Sequence, residues 1–281
     1  MKIGLIVNLQ KPLAKKVVLE LISYCKQQGI TPMLEESAAA CLKQIKYASK
    51  QKDLVSVAQL LIALGGDGTL LKTARLVGSK EKPVMGINLG GLGFLTMFSA
   101  EQARSAVADF LNKNYREEER MVLEIAYKKE KFSALNDCAI NMGSDCRVVD
   151  LILSSNNNFI CKLVADGVVV ATPTGSTAYS LAAGGPIVFP TMEAILITPL
   201  SPHVLSGRPL IVPSSESISL QLAECSEPAV LTIDGQEQRR LKPGDKISIT
   251  KADYSMRLIA PKGKSYYEIL RTKMKWSERG Q

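Results

Sequence analysis

The chain has 281 residues, 35 Lys and Arg against 27 Asp and Glu, a formal charge of +8 and a single histidine, His203. One imidazole cannot build a His-rich metal site or a paired-His phosphotransfer, so acid and base work falls on carboxylates, Lys, Tyr or Cys. The positive excess points to an acidic partner, but 5% aromatic residues and scattered basic ones make a poor platform for nucleic acid, which leaves a phosphorylated small molecule.

In chain order, Lys2 to Asn8 reads as a short apolar strand. Leu13, Val17, Val18, Leu21, Ile22 and Cys25 then recur at helical spacing until Gly29 stops the pattern. Ile30 to Leu34, Leu60 to Leu64 and Val84 to Asn88 read as further strands with helical stretches between them. That alternation predicts a Rossmann-like α/β domain, a parallel sheet with helices on both faces, whose ligands sit beyond the carboxyl ends of the strands. A helical segment follows near Glu101 to Asn112.

From there the character changes to short β-type runs: Met121 to Tyr127, Ala134 to Asn141, Val148 to Ser154, Phe159 to Leu163, Val168 to Ala171, Ser217 to Leu222, Ala229 to Ile233 and Lys246 to Ile249. Turn signals such as Asp234-Gly235 separate them. Their density predicts a mainly β second domain, a β-sandwich. The expected division is 1–100 for the α/β domain, 101–265 for the β-rich domain and 266–281 for a basic tail.

A hydrophobic fraction of 46% predicts a well-cored globular protein. The six cysteines (25, 41, 138, 146, 161 and 225) fall at no ligand-like spacing and read as free thiols. The N-terminal apolar run is too short for a signal peptide, and no stretch approaches the roughly 20 residues of a membrane span. The expectation is a cytoplasmic protein with no membrane partner.

The strongest local signal is the run Leu60 to Leu64 followed by Gly65-Gly66-Asp67-Gly68-Thr69 and a helical pattern from Leu70. A strand entering a three-glycine turn before a helix lets backbone N–H groups approach phosphate oxygens without Cβ obstruction, and the helix N-terminus favours negative charge. Read without that ligand, Asp67 is the capping residue of a tight turn. A P-loop is excluded because Leu71 stands where that motif needs glycine.

Gly-Gly-Asp-Gly-Thr resembles the phosphate-handling motif shared by NAD kinases, diacylglycerol and sphingosine kinases and 6-phosphofructokinases. Further segments resemble NAD kinase motifs, in that family's order: Asn88-Leu-Gly-Gly-Leu-Gly-Phe-Leu95, Leu135-Asn136-Asp137, Asp166-Gly167, Thr172-Pro-Thr-Gly-Ser-Thr-Ala-Tyr-Ser180, Gly184-Gly-Pro186, Thr198-Pro-Leu-Ser-Pro-His203 and Ile233-Asp-Gly-Gln236. The resemblance implies transfer of the ATP γ-phosphate to the 2′-hydroxyl of the adenosine ribose of NAD, with Mg²⁺ as the divalent cofactor and no dedicated set of protein metal ligands. It implies that Asp67 is the general base with Gly68 beside the substrate, that Gly65, Gly66 and Thr69 form the phosphate loop, and that Asn136 and Asp137 hold ribose hydroxyls. It also places Phe94 near the adenine, and Asp166, Thr177, Ala178, Tyr179, Ser180, Leu181 and Ala182 around the dinucleotide, with Arg147 and Gln236 as further contacts. A homo-oligomer, dimer or tetramer, is implied as well, with the tail returning to the first domain.

The chain departs from the family at Asp137, where Glu is common, at Ala182, where Ser is common, and at Val164, where a basic residue is common. Asp is one methylene shorter, and Ala182 cannot supply a side-chain hydrogen bond. The alternatives are a lipid kinase of the diacylglycerol or sphingosine type and a non-catalytic dinucleotide-binding sensor. Lys72 and Arg75, one helical turn after the glycines, read as a solvated face, and His203 reads as structural.

Overall fold

Near-continuous apolar strands need cover on both faces, and the first part of the chain supplies it. The computed structural model describes residues 1–91, 93–142, 148–203, 207–223 and 228–276. They form two compact units, Met1–Glu119 together with the segment from Met256 onward, and Arg120–Ser255.

In the first unit, parallel strands Lys2–Val7, Thr31–Glu35, Leu60–Gly65 and Val84–Asn88 pair as expected. Strand Lys2–Val7 lies between Thr31–Glu35 and Leu60–Gly65, so the strand order reverses there. The carboxyl ends of Lys2–Val7 and Leu60–Gly65 therefore flank the crevice where such sheets bind ligands. Helix Ala14–Gln27 buries Val17, Val18, Leu21, Ile22 and Cys25, the residues whose spacing predicted it. Helices Asp67–Val77, Ala103–Leu111 and Tyr266–Met274 complete the unit's larger cover.

Two observations depart from the expected division. Helix Ala103–Leu111 and the chain up to Glu119 belong to the first unit, not the second. The segment from Met256 also belongs there: Leu258 and Ile259 pair in parallel with Val84 and Met85, and helix Tyr266–Met274 buries Ile269 and Leu270. Residues 250 to 261 carry no turn signal, so the short run expected at Lys246 to Ile249 is the start of a strand that continues to Pro261.

In the second unit, a six-stranded antiparallel sheet runs in the order Leu210–Pro213, Ala194–Leu200, Gly167–Ala171, Asp137–Asn141, Ala229–Ile233, Glu237–Leu241. Strands Asn158–Ala165, Val149–Ser155, Ile218–Leu222 and the first part of Lys246–Pro261 form a second antiparallel layer. Cys138, Ile140, Val168 and Val170 of one layer share a core with Leu151, Leu153, Leu220 and Ile247 of the other, a sandwich arrangement. The opposite face of the six-stranded sheet carries Ala139, Val169, Ala171, Leu196 and Leu200 and is partly roofed by Val188.

The expected run from Ala134 to Asn141 is broken into strands Glu130–Ala134 and Asp137–Asn141. At the break the amides of Leu135, Asn136 and Asp137 donate to the Asp234 carboxylate instead of to a ladder.

Candidate active site

The glycine turn of the first unit leaves strand Leu60–Gly65 at the crevice described above. Gly66 is the N-cap of helix Asp67–Val77, and a Cβ there would meet nothing within 4 Å. That open backbone at a helix start suits a phosphate oxygen. Gly68 is exposed on the first turn, and the amides of Thr69 and Leu70 donate to the Gly66 carbonyl. Asp67 does not act as the cap that the bland reading gives it. Its Oδ2 accepts from the Phe94 amide at 2.9 Å, and its Oδ1 accepts from the Leu95 and Thr96 amides and the Thr96 hydroxyl at 3.2, 3.0 and 3.0 Å.

Those donors belong to the loop after strand Val84–Asn88, so two neighbouring βα turns are tied together through one carboxylate. A Cβ on Gly93 would lie 2.0 Å from Asp67 Oδ1, so only glycine allows this approach. Phe94 packs against the core of the unit, with Lys273 Nζ 5.9 Å from its ring centroid. Lys11, after the first strand, is exposed on the same crevice, its Nζ 4.0 Å from where a Gly90 Cβ would stand. Sequence reading passed over Lys11 because a lone lysine in a loop has no spacing to mark it. Lys72 is paired with the buried Glu35 carboxylate at 3.0 Å, which turns it away from a phosphate role.

The second unit contains a cleft of about 420 Å³ lined by Asn136, Asp137, Asn141, Tyr179, Asp234 and Gln238, among others. That is within the usual range for a small-molecule site. Asp137, Ala139 and Asn141 alternate along one strand and so share a face. Asp234 and Gly235 both have positive φ, 49° and 66°, and the Gln236 amide donates to Ile233, which makes a type I′ hairpin turn. The turn delivers the Asp234 carboxylate to the Leu135–Asp137 amides.

Asp137 is 6% exposed and Asp234 8%. Burial and the like charge of Asp234 push the Asp137 carboxyl up to about 7, against a hydrogen bond from the Tyr179 amide that pulls it down. Tyr179, 42% exposed, offers its ring to a ligand.

The hydroxyl-rich run from Thr172 to Ser180 is mostly structural. Thr172 Oγ1 donates to the Leu135 carbonyl at 2.6 Å, Ser176 Oγ to Pro173, and Ser180 Oγ bonds Thr198 Oγ1 at 2.9 Å. A Cβ on Gly175 would lie 2.0 Å from the Asn136 carbonyl oxygen, so this turn presses directly on the Asn136 backbone.

Of the expected dinucleotide contacts, Asn136, Asp137, Ala178 and Tyr179 meet in the cleft. Thr177 is half-buried with its hydroxyl on the Thr174 carbonyl, and Ser180 is buried away from the cleft. Leu181 and Ala182 lie on the short helix Tyr179–Ala182, and Gln238 lines the cleft where Gln236 was expected. Asp166 stands beyond the far end of strand Gly167–Ala171 from Asp137, 3.9 Å from His203 Nε2. Arg147 lies outside the described residues. Sequence reading missed Asp234, Asn141, Thr232 and Gln238; the alternation Thr232, Asp234 and Asp137, Ala139, Asn141 was the available signal.

Residues 3–115 match the ATP-NAD kinase N-terminal domain and residues 135–260 the ATP-NAD kinase C-terminal domain. The chain is 38% identical to the NAD kinase of Geotalea daltonii and 40% identical to that of a Geobacter species, over 99% of both chains in each case. It matches the crystal structure of yeast NADH kinase complexed with NADH at a TM-score of 0.93 and 27% identity, covering 100% of this chain and 89% of that one. The NAD kinase of Archaeoglobus fulgidus in complex with ATP shares the fold at a TM-score of 0.80 and 22% identity, with 98% and 99% covered. With both domains and the full length of its relatives matched, the chain belongs to the NAD kinase family.

Proposed function

We propose that the protein transfers the γ-phosphoryl group of ATP to the 2′-hydroxyl of the adenosine ribose of NAD, producing NADP. The observation that carries this reading is that each half of the matched chain holds the kind of site its part of the reaction needs: an open glycine turn at the strand-order reversal, and a carboxylate-lined cleft of nucleoside size. Phosphoryl transfer depends on positioning and charge neutralisation more than on covalent chemistry. Gly65, Gly66, Gly68 and Thr69 supply the backbone turn for phosphate oxygens, with Lys11 as a nearby cation. Asn136 and Asp137 hold ribose hydroxyls, and Tyr179 flanks the base.

Asp67 takes the proton of the attacking hydroxyl. A carboxylate suits a loose transition state in which the proton moves late, so no imidazole is needed. Among the described residues there is no group of three His, Cys, Asp or Glu that could hold a metal. Mg²⁺ would then be held chiefly by triphosphate oxygens, where it would offset phosphate charge.

No described helix is long and apolar enough to cross a membrane. Exposed Leu210 and Ile211 on the edge strand of the six-stranded sheet support the homo-oligomer implied by the family, and a cytoplasmic location belongs to the same reading.

The test is NADP formation by the purified protein with NAD, ATP and Mg²⁺, run beside diacylglycerol as acceptor. NADP formation alone is expected. Tight NAD binding without turnover would overturn the kinase reading and leave a sensor.

A further inference from the structure

The hydrogen bonds around Asp67 run in one direction. The Gly90 amide can only donate, so the atom it meets at 2.7 Å is the Asn88 side-chain carbonyl, Oδ1. Asn88 Nδ2 must then donate, and it does so to Thr96 Oγ1 at 2.7 Å. With that contact received, the single hydroxyl proton of Thr96 is directed to Asp67 Oδ1 at 3.0 Å. Both Asn88 and Thr96 are buried, Thr96 completely, so water does not compete for these groups. Oδ1 thus receives three donors, whereas Oδ2 receives only the Phe94 amide among the described residues. Each carboxylate oxygen has about two acceptor positions, so Oδ1 is filled and Oδ2 is open.

We infer that Oδ2 is the oxygen of Asp67 that takes the substrate proton, and that Thr96, oriented by Asn88, is the positioning residue that reserves it. The inference rests on the base role proposed above. In the step, the ribose hydroxyl oxygen bonds the γ-phosphorus and its proton passes to Oδ2. The bond from the γ-phosphorus to the bridging oxygen breaks, and its electron pair leaves on ADP.

The test uses full-length Thr96→Val, Thr96→Ser, Asn88→Asp and Asp67→Asn in the NADP-forming assay across pH, with melting temperatures as a control. Thr96→Val removes the hydroxyl at nearly constant shape. It is expected to lower kcat about tenfold, leave KM for NAD and ATP within about twofold, and move the acid limb of the kcat profile to higher pH, because a donor to the carboxylate is gone. Thr96→Ser restores both rate and profile. Asn88→Asp replaces the donor by an acceptor that draws the Thr96 proton away from Asp67, and gives the same loss and shift even if Thr96→Val does not fold.

An unmoved profile with wild-type kcat in Thr96→Val or Asn88→Asp, or a loss in KM alone, would overturn the inference. If Asp67→Asn is inactive while those variants are normal, only the role of Thr96 falls. If Asp67→Asn keeps full turnover, the base reading falls with it.

Discussion

Asp67 in the first unit and Asp137 in the second are the same side chain under opposite conditions. Asp67 is half-buried and ringed by donors: three amides and a hydroxyl. Asp137 is deeply buried, beside a second carboxylate, with the Tyr179 amide as its one opposing donor among the causes of its shift. The contrast shows that placing a carboxylate in a site does not set its chemistry; the count of donors against the count of like charges does. The first arrangement surrounds a carboxylate with donors, and the second makes a group that gains or loses its proton near neutrality.

The comparison breaks most sharply at Asp67→Asn, which keeps the size but cannot accept a proton. Turnover is expected to fall by about 10²- to 10⁴-fold with NAD binding retained, measured by steady-state kinetics and direct binding. Unchanged turnover would put Asp67 on the level of a structural tie.

Next in size is Asp234→Ala. It strips the acceptor from three backbone amides, two of them on buried residues, and a loss on the order of 3 kcal/mol of stability is expected in denaturant melts. It should also let the Asp137 carboxyl fall toward its ordinary range, since the like charge is gone.

The pH dependence follows from Asp137 itself. In the unfolded chain an Asp ionises near about 4, whereas in the folded cleft it holds its proton to about 7. Between those values the folded state binds more protons than the unfolded one, so stability falls as pH rises through the window and levels off above it. Asp137→Asn should flatten that slope in melts taken from pH 4 to 8. The same ionisation sets the carboxylate against a 2′-phosphate, so NADP should bind several-fold less well relative to NAD at pH 8 than at pH 6. Equal ratios would remove Asp137 from the ribose.

The smallest effect is expected at Lys72→Ala. Its ammonium is tied to Glu35, so KM for ATP should stay within about twofold. A large rise would restore the phosphate role to this helix.

The parallel sheet was legible because its apolar runs and helical spacings are local, and so was the glycine turn that marks its crevice. Asp67, Asn136, Asp137 and Tyr179 were legible only through motif order; no local period says that a polar Asn-Asp pair faces a cleft. Strands Ala194–Leu200 and Glu237–Leu241 escaped, the first because Pro199 interrupts its pattern and the second because Gln238, Arg239 and Arg240 leave no apolar alternation. Asp234 looked like turn chemistry and is that, but it is also the acceptor for amides about 98 residues away in sequence, a partnership that only the folded backbone reveals.

The strand through Leu258 and Ile259 carries one more consequence. Because it pairs in parallel beside Val84 and Met85 of the first sheet, the first unit is written in two pieces with the second inserted between them. A ribosome making this chain emits Arg120–Ser255 whole before the residues that finish the earlier sheet exist. The glycine turn is thus translated early and completed late, and any attempt to divide the protein must join residues 1–119 to the segment from 256 rather than cut once.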